Sequence, residues 1–450
     1  RPDHRVAAEF SPDAKELAAL RALGFTAANV IPTEGIYRGT GTLALLGEGN
    51  PNQLILRPDT VQHLAFSSTG KRAEGYPNSL MGVIAVIRQT VFDAQYYYAM
   101  QTWHKAHPND TRPEYNPSLE ALRPVLSKKT KQRIIIEPGS VLMLNRAKVL
   151  AAELKFQPIL VATGQEWRRA NLVKEIPFPF IVPVVFPGKP DMPEEDDWEQ
   201  ISLDQLRAWD WAPEIPALLR SHQRSISLTT HGLADRKVFR KNIRQAIERG
   251  LKETDALAAL TTEPAALLGA SAQLGTIEKG KLANLTIVDG ESWFEPKNEV
   301  SAVWVEGRHF SNDNPKPKED KKNDAKKKPE AKLEPRVAKT PGDYRGVLKA
   351  PKTVIINNAT IWTCGPAGVI KNGSITITGG RIVSIGKTAS APIPADSIII
   401  DANGRHVTPG LIDCHSHSMI LGGVNEGTLP SSAMVRIGDV VNSETENIYR

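Results

Sequence analysis

Asp413, His415 and His417 recur at every second residue near the end of the chain. They follow a short apolar run at Leu411–Ile412 and a turn-forming pair at Pro409–Gly410. In a β-strand, residues i, i+2 and i+4 share one face, so a strand here would direct both imidazoles to the same side. Imidazole nitrogens a few ångströms apart are typical ligands of zinc and similar divalent ions. The spacing therefore predicts a metal site, or half of one, with His415 and His417 as ligands.

A His-x-His sequence in a polar loop is the structural alternative. The apolar run before the pair and the carboxylate of Asp413 on the same face favour the metal site. Asp413 is predicted to orient a ligand or to brace the strand rather than to bind the metal. Cys414 would lie on the opposite face, where we expect a buried small apolar side chain and not a ligand.

Strand-like and helix-like segments alternate over the first 270 residues, which is typical of a parallel α/β fold. Apolar runs predict strands at Gly24–Pro32, Arg133–Glu137, Pro158–Ala162, Phe180–Val185 and Ser225–Thr229. Helical periodicity predicts helices at Pro12–Leu23 with Ser11 as N-cap, Leu80–Thr102, Leu119–Lys129 and Arg236–Arg249.

A charged segment separates this region from a second β-rich region. Across 311–345, eleven Lys or Arg residues stand against seven Asp or Glu, with few large apolar side chains. Such a segment cannot bury enough surface to offset its ordering entropy, so we predict a disordered linker over 311–350. Beyond it, 353–362 predicts a strand, and 374–385 alternates around a Gly-Gly pair and predicts a hairpin.

Composition excludes several classes of protein. The net charge of +6 gives little support for a nucleic-acid partner, because an excess of four charges lies in the linker. Two cysteines cannot form a disulfide framework. The sequence has no run of 18 apolar residues, so no membrane span is predicted. The compartment stays open between the cytoplasm and export.

Two stretches resemble the amidohydrolase superfamily. Val407-Thr-Pro-Gly-Leu-Ile-Asp-Cys-His-Ser-His-Ser418 is similar to its first-strand signature, P-G-L/F-I-D-x-H-x-H. Thr262–Asp289, with Leu-Gly-Thr-Ile-Glu-Lys-Gly-Lys-Leu-Ala-Asn-Leu inside it, is similar to the closing segment L-G-x-I-x-x-G-x-x-A-D-L. The resemblance, which favours the imidazolonepropionase-like branch, implies a (β/α)8 barrel of the TIM type with a small flanking β-sandwich.

The closing segment precedes the opening segment, which predicts two such units in tandem, with this chain a fragment of the pair. The first unit would have an incomplete barrel over 1–270 that lacks its first strand, and sandwich strands over 271–310. The second unit would have sandwich strands over 351–408, and the first strand and start of a barrel over 409–450.

The first barrel lacks the side chains that the superfamily places at its strand ends. Aligned by pattern, Glu137 and Ala162 stand where histidines are expected, and His231 stands where an aspartate is expected. Alanine cannot bind metal. Glu137 and His231 remain candidates, although a helix-capping role is favoured for Glu137 and a hydrogen-bonded structural role for His231. The first unit is therefore predicted to be degenerate and non-catalytic.

The resemblance implies a metal-dependent hydrolase of carbon–nitrogen bonds other than peptide bonds, in amides or cyclic amides. A zinc-activated hydroxide would attack the carbonyl, and a carboxylate would carry the proton to the leaving nitrogen. The remaining ligands and the general base are expected beyond Arg450. The partner expected is a small-molecule amide substrate, with a homo-oligomer left open. The alternatives are a pseudoenzyme scaffold that binds a ligand without hydrolysis, and a surface-tethered module supported only by the basic linker.

A last hypothesis concerns what completes the first unit. Because it lacks a first barrel strand, 411–417 is predicted to pair in parallel with 24–32, as in a circular permutant. The hairpin 375–385 would then join the sandwich strands 285–288 and 302–305.

Overall fold

The chain divides into two compact units. One unit combines Arg1–Thr340 with Met419–Arg450, and the other is Pro341–Ser418. The computed structural model describes residues 1–67, 75–127, 132–190, 200–312, 352–387, 393–421, 424, 426–429 and 431–445. Most of the predicted linker, from residue 313 on, lies outside the described residues. The predicted unit boundary at residue 409 differs from the structure, because the chain from Met419 onward belongs to the first unit.

An open six-stranded sheet forms the centre of the first unit, in the order β2-β5-β6-β7-β8-β9. The strands β5 to β9 are parallel, and β2 is antiparallel to β5. Within the described residues the sheet does not close into a barrel. The strands of the first unit are β1 (Ala27–Val30), β2 (Tyr37–Thr40), β3 (Thr42–Leu45), β4 (Ile55–Arg57), β5 (Gln62–Ala65), β6 (Ile134–Glu137), β7 (Pro158–Val161), β8 (Phe180–Pro183), β9 (Ile226–Thr229), β10 (Leu285–Val288), β11 (Val300–Val305) and β12 (Arg308–Ser311).

Helices cover one face of this sheet and contribute most of the core. Ile134 and Ile136 of β6 point into that core, whereas Ile135 points to the opposite, inner face with Val61 and Ile159. The helices are α1 (Val6–Glu9), α2 (Ala14–Ala22), α3 (Pro51–Leu54), α4 (Leu80–Ala106), α5 (Pro117–Glu120), α6 (Arg123–Leu126), α7 (Val141–Glu153), α8 (Ala170–Lys174), α9 (Leu203–Trp211), α10 (Ile215–Ser221), α11 (Phe239–Glu248), α12 (Glu253–Ala258) and α13 (Thr262–Leu267).

Most of the elements that were predicted for the first unit form within a few residues of their predicted bounds, with two differences. Helix α2 is capped by Asp13, whose carboxylate accepts hydrogen bonds from Lys15 N and Glu16 N, and not by the predicted Ser11. The predicted helix Leu119–Lys129 is instead two single turns, α5 and α6. Proline begins or nearly begins each of those turns, where its missing N–H costs least. No helix in the described parts of the chain is long and apolar enough to cross a membrane.

Two small antiparallel sheets complete the first unit. Strand β1 pairs with β3, with Ala27 opposite Leu45 and Val30 opposite Thr42, and β3 pairs with β4. The other sheet has the order β10-β11-β12. The predicted pairing of 24–32 with 411–417 does not form, because 411–417 adopts no strand. The predicted pairing of 375–385 with β10 and β11 does not form either, since β14 pairs with β13 and β15 within its own sheet.

The second unit is a β-sheet whose order is β15-β14-β13-β16, with β17 also beside β13. The long strands β13 and β14 pair in antiparallel register around a small core of Ala359, Ile361, Ile375 and Ala402. The predicted strand and hairpin are confirmed. The strands of this unit are β13 (Thr353–Trp362), β14 (Val369–Thr378), β15 (Arg381–Gly386), β16 (Ile398–Asp401) and β17 (His406–Val407).

Candidate functional site

His415 and His417 lie in an extended segment that follows β17 and forms no regular strand. Their Nε2 atoms are 3.3 Å apart, so the two imidazoles converge. Asp413 turns back on the chain, and its Oδ1 accepts a hydrogen bond of 3.0 Å from His415 N. The predicted strand is wrong, because Leu411 and Ile412 are 100% and 90% exposed and have no sheet to pack against. Convergence of the imidazoles therefore comes from a local turn and not from strand pleating.

The separation of the two imidazole nitrogens fits a shared divalent ion. Zinc binds imidazole at about 2.0–2.1 Å with tetrahedral angles, which places two ligand nitrogens about 3.3–3.4 Å apart. The described residues bring no third His, Cys, Asp or Glu to the pair. Cys414 is exposed, so the prediction of a buried side chain is wrong, and the same lack of a covering sheet explains it. The pair therefore has the separation expected of two ligands of one ion, and its role as a metal site stays a prediction.

The guanidinium of Arg38 forms an ion pair with the carboxylate of Glu137 at the end of β6. It donates to Glu137 Oε1 over 2.7 Å, and the two side chains are 10% and 21% exposed. Glu137 therefore does not cap the following helix, and a carboxylate neutralised by a guanidinium is a poor metal ligand. His231 is exposed, and its backbone N–H donates to Thr229 Oγ1. Ala162 is buried in the apolar core. The structure thus pairs Glu137 with an arginine and does not gather the candidates into a metal cluster.

His63 lies on the inner face of the sheet, beside this ion pair. In the pairing of β5 with β6, His63 is opposite Ile135. Ile135 precedes Glu137 by two residues, so these side chains share one face of the sheet. The His63 side chain is 1% exposed, and neither ring nitrogen has a hydrogen-bond partner among the described residues. Burial lowers the pKa of His63 to about 3, and the charges of Arg38 and His231 add to the effect. His63 is therefore neutral at physiological pH.

This burial predicts a measurable pH dependence of stability. An unfolded histidine titrates near pH 6.5. Below that pH the unfolded chain therefore binds a proton at His63, whereas folded His63 stays unprotonated. Stability is full above the unfolded pKa and is lost as pH falls from there toward about 3. We expect the free energy of unfolding to fall by about 2 kcal/mol between pH 6.5 and pH 5 from this group. Urea titrations at several pH values measure it.

The matched comparison for this effect is between two histidine substitutions. His63→Met should flatten the stability profile by about 1.4 kcal/mol per pH unit in that window. His309→Met, at an exposed histidine on β12, should leave the slope unchanged. Equal slopes for all three proteins would show that His63 is protonated in the folded state.

Sequence reasoning missed Arg38 and His63, and also Glu166 after β7. Glu166 is fully buried, and its Oε1 accepts from Thr163 N over 2.6 Å and from Thr163 Oγ1 over 3.0 Å. Burial raises the pKa of Glu166 despite these hydrogen bonds. Two adjacent polar residues within an apolar stretch, as in Val61-Gln-His-Leu-Ala65, were the available signal for His63. Glu166 braces the turn after Ala162 and contacts no candidate ligand.

Comparisons with known proteins agree with this fold. A model of the amidohydrolase family matches residues 212–322. Two relatives are imidazolonepropionases: that of Acidiphilium cryptum is 42% identical over 74 residues, which are 16% of this chain and 18% of the relative. That of Methylobacterium nodulans is 48% identical over 56 residues, 12% of this chain and 14% of the relative. The chain therefore aligns with less than a fifth of the length of these relatives.

A solved structure extends the agreement to most of the chain. The amidohydrolase from Thermotoga maritima superimposes with a TM-score of 0.59 and 22% identity, over 69% of this chain and 78% of that chain. The predicted fold class, α/β with an incomplete TIM-type barrel and an additional small β-sheet domain, is confirmed. The family model and the relatives thus show that part of this chain is similar to amidohydrolases, among them imidazolonepropionases, and the solved structure shows a shared fold.

Proposed function

We propose that the protein is a metal-dependent hydrolase that cleaves carbon–nitrogen bonds other than peptide bonds. The observation that carries the proposal is the 3.3 Å separation of His415 Nε2 and His417 Nε2, which suits two ligands of one zinc ion. Similarity to imidazolonepropionases supports a cyclic amide as the substrate class. Both the substrate class and the metal are parts of this proposal.

Each residue of the pair has a defined task in the proposed reaction. His415 and His417 would hold the ion through imidazole nitrogens, and both side chains are exposed and so open to substrate. Asp413 fixes the turn by accepting from His415 N, which restricts where that imidazole can lie. When bound, zinc supplies Lewis acidity, which polarises a carbonyl oxygen and lets water ionise near neutral pH.

We propose a non-catalytic role for the first unit. Three observations support it. Arg38 forms an ion pair with Glu137, and the Ala162 side chain has no atom that can bind a metal. His231 is exposed, and the described residues bring no two further ligands to it. The pseudoenzyme alternative is thus favoured for the open barrel, whereas the imidazole pair favours hydrolysis in the second unit. One protein would then combine a scaffold and a catalytic unit.

Metal analysis of the full chain tests this division. We expect zinc to bind with about one ion per chain and to be unaffected by His231→Ala, because His231 has no partner ligands near it among the described residues. Isothermal titration measures the stoichiometry, and hydrolysis of a panel of cyclic and acyclic amides is assayed on the same samples. Loss of a zinc ion in His231→Ala would show that the first barrel still binds metal.

A further inference from the structure

The described residues within 419–445, here called the docking segment, pack on the first unit although they have little regular structure. They contain a single-turn 3-10 helix at Ile437–Asp439 and a bridge between Ile420 and Val441. Val440 is 1% exposed and belongs to the main core of the first unit. The segment has no core of its own. Its order therefore depends on the surface against which it packs.

Asp439 provides the first anchor of the docking segment. Arg88 of α4 donates to its two carboxylate oxygens over 2.7 and 3.2 Å, and to Met434 O over 3.1 Å. Arg88 also binds Glu153 of α7 through two hydrogen bonds of 2.8 Å. The Arg88 and Asp439 side chains are only 10% and 6% exposed. Removing the docking segment would leave Arg88 with one of its two carboxylate partners, on a helix that is otherwise apolar here.

Glu426 provides the second anchor, at the N-terminus of α4. Its Oε2 accepts hydrogen bonds from Asn78 N, Ser79 N and Ser79 Oγ over 2.9, 3.1 and 3.1 Å. A carboxylate at this end of a 27-residue helix also opposes the positive end of the helix dipole. Gly82 leaves the space for it, since a Cβ there would lie 2.0 Å from Glu426 Oε2. The helix start is shaped to receive this side chain.

Two further arginines extend the same surface. Arg146 of α7 lies 3.6 Å from Asp439 and also donates to Gly438 O. Arg169 lies 2.6 Å from Glu444, and this outer pair is 41% and 29% exposed. Three arginines thus meet two carboxylates of the docking segment, while Glu426 accepts from two backbone amides and the Ser79 hydroxyl. Charge and shape complementarity run along the whole contact.

We propose that this face of the first unit, formed by Asn78–Gly82 with Arg88, Arg146 and Arg169, is a docking surface for residues 419–445 of this chain. The docking segment begins two residues after His417, so the degenerate barrel serves as the scaffold that anchors the chain leaving the imidazole pair. This inference goes beyond the proposed hydrolase and does not require metal to bind.

Hydrogen exchange in the full chain tests the docking surface. The amides of Leu421 and Asn442 donate to Val440 O and Met419 O over 2.7 Å, so they report on the segment directly. We expect them to be protected, and Asp439→Asn to speed their exchange by about 100-fold or more, because Arg88 loses a buried anionic partner. The core amide of Leu160, which donates to Pro179 O, should stay protected.

Two further variants keep the test decisive if Asp439→Asn unfolds the first unit. Glu426→Gln, at a position away from the core, should speed exchange at Leu421 by about fivefold while Leu160 is unaffected. Arg236→Met breaks an exposed pair with Glu16 and should change neither amide. Unprotected Leu421 and Asn442 in the wild type, or protection unchanged in Glu426→Gln and Asp439→Asn, would overturn the docking surface.

Discussion

Replacing His415 or His417 with alanine is expected to abolish zinc binding and hydrolysis in the full chain. The two Nε2 atoms are 3.3 Å apart, so each substitution removes one of two convergent ligands and leaves a single imidazole. Loss of an outer-shell partner of a metal ligand typically costs about 10–100-fold in affinity, and loss of a direct ligand should cost more. Isothermal titration with zinc and the amide panel measure both effects.

The control for this prediction is a histidine of similar exposure outside the pair. His309→Ala, on β12 of the first unit, should leave zinc affinity and turnover unchanged. Both His415 and His417 are exposed, so their replacement should leave the fold intact, and circular dichroism checks it. Normal turnover in either His415→Ala or His417→Ala would show that hydrolysis does not use this pair.

Replacing Arg249 with methionine is expected to cause the largest loss of stability in the first unit. Arg249 follows α11 and is 1% exposed, and it donates to Glu214 Oε1 over 3.1 Å, a carboxylate that is fully buried. It also donates to Asp210 O over 2.8 Å at the end of α9. Methionine would remove the guanidinium that pairs with buried Glu214 and with Asp210, and removing one partner of a buried ion pair typically costs about 3–5 kcal/mol. Urea unfolding followed by tryptophan fluorescence measures the loss.

A partly exposed arginine on α11 separates charge burial from helix effects. Arg244 forms ion pairs with Glu248 and Glu295, and its side chain is 30% exposed. Arg244→Met should cost at most about 1 kcal/mol, as exposed pairs contribute little. Combining Arg249→Met with Glu214→Leu should recover part of the loss, since an apolar pair needs no compensating charge. Equal losses in Arg249→Met and Arg244→Met would contradict this account.

The inner face of the open sheet supports the proposal that the first unit is non-catalytic. Arg38 supplies a positive charge beside Glu137, at a strand end where the family resemblance implies a metal ligand. His63 beneath it is neutral because burial lowers its pKa to about 3. A fixed guanidinium makes binding of a cation at Glu137 unfavourable. Replacing the first unit's missing ligands one at a time would therefore not restore a metal site while Arg38 remains.

The sequence by itself determined the features that depend on near neighbours. Apolar runs of four or five residues and helical periodicity predicted β6, β7, β8, β9 and α11 within a few residues, because backbone preference and burial repeat locally. The two imidazoles were also predictable, since residues two apart can converge in a strand or, as here, in a turn closed by Asp413. The two imidazoles lie close together as predicted, although the predicted strand does not form.

Only the tertiary structure decided which distant partners meet. Arg38 and Glu137 are 99 residues apart in sequence, and Arg88 and Asp439 are 351 apart. Arg88, which follows an apolar stretch of α4, indicates that a carboxylate partner exists. The neighbouring sequence does not show which residue that partner is. Which carboxylate pairs with each arginine depends on which surfaces remain uncovered after the sheet and the helices have packed. That is why the sequence predicted that the two imidazoles lie close together, whereas the contacts of 419–445 with the rest of the first unit appeared only in three dimensions.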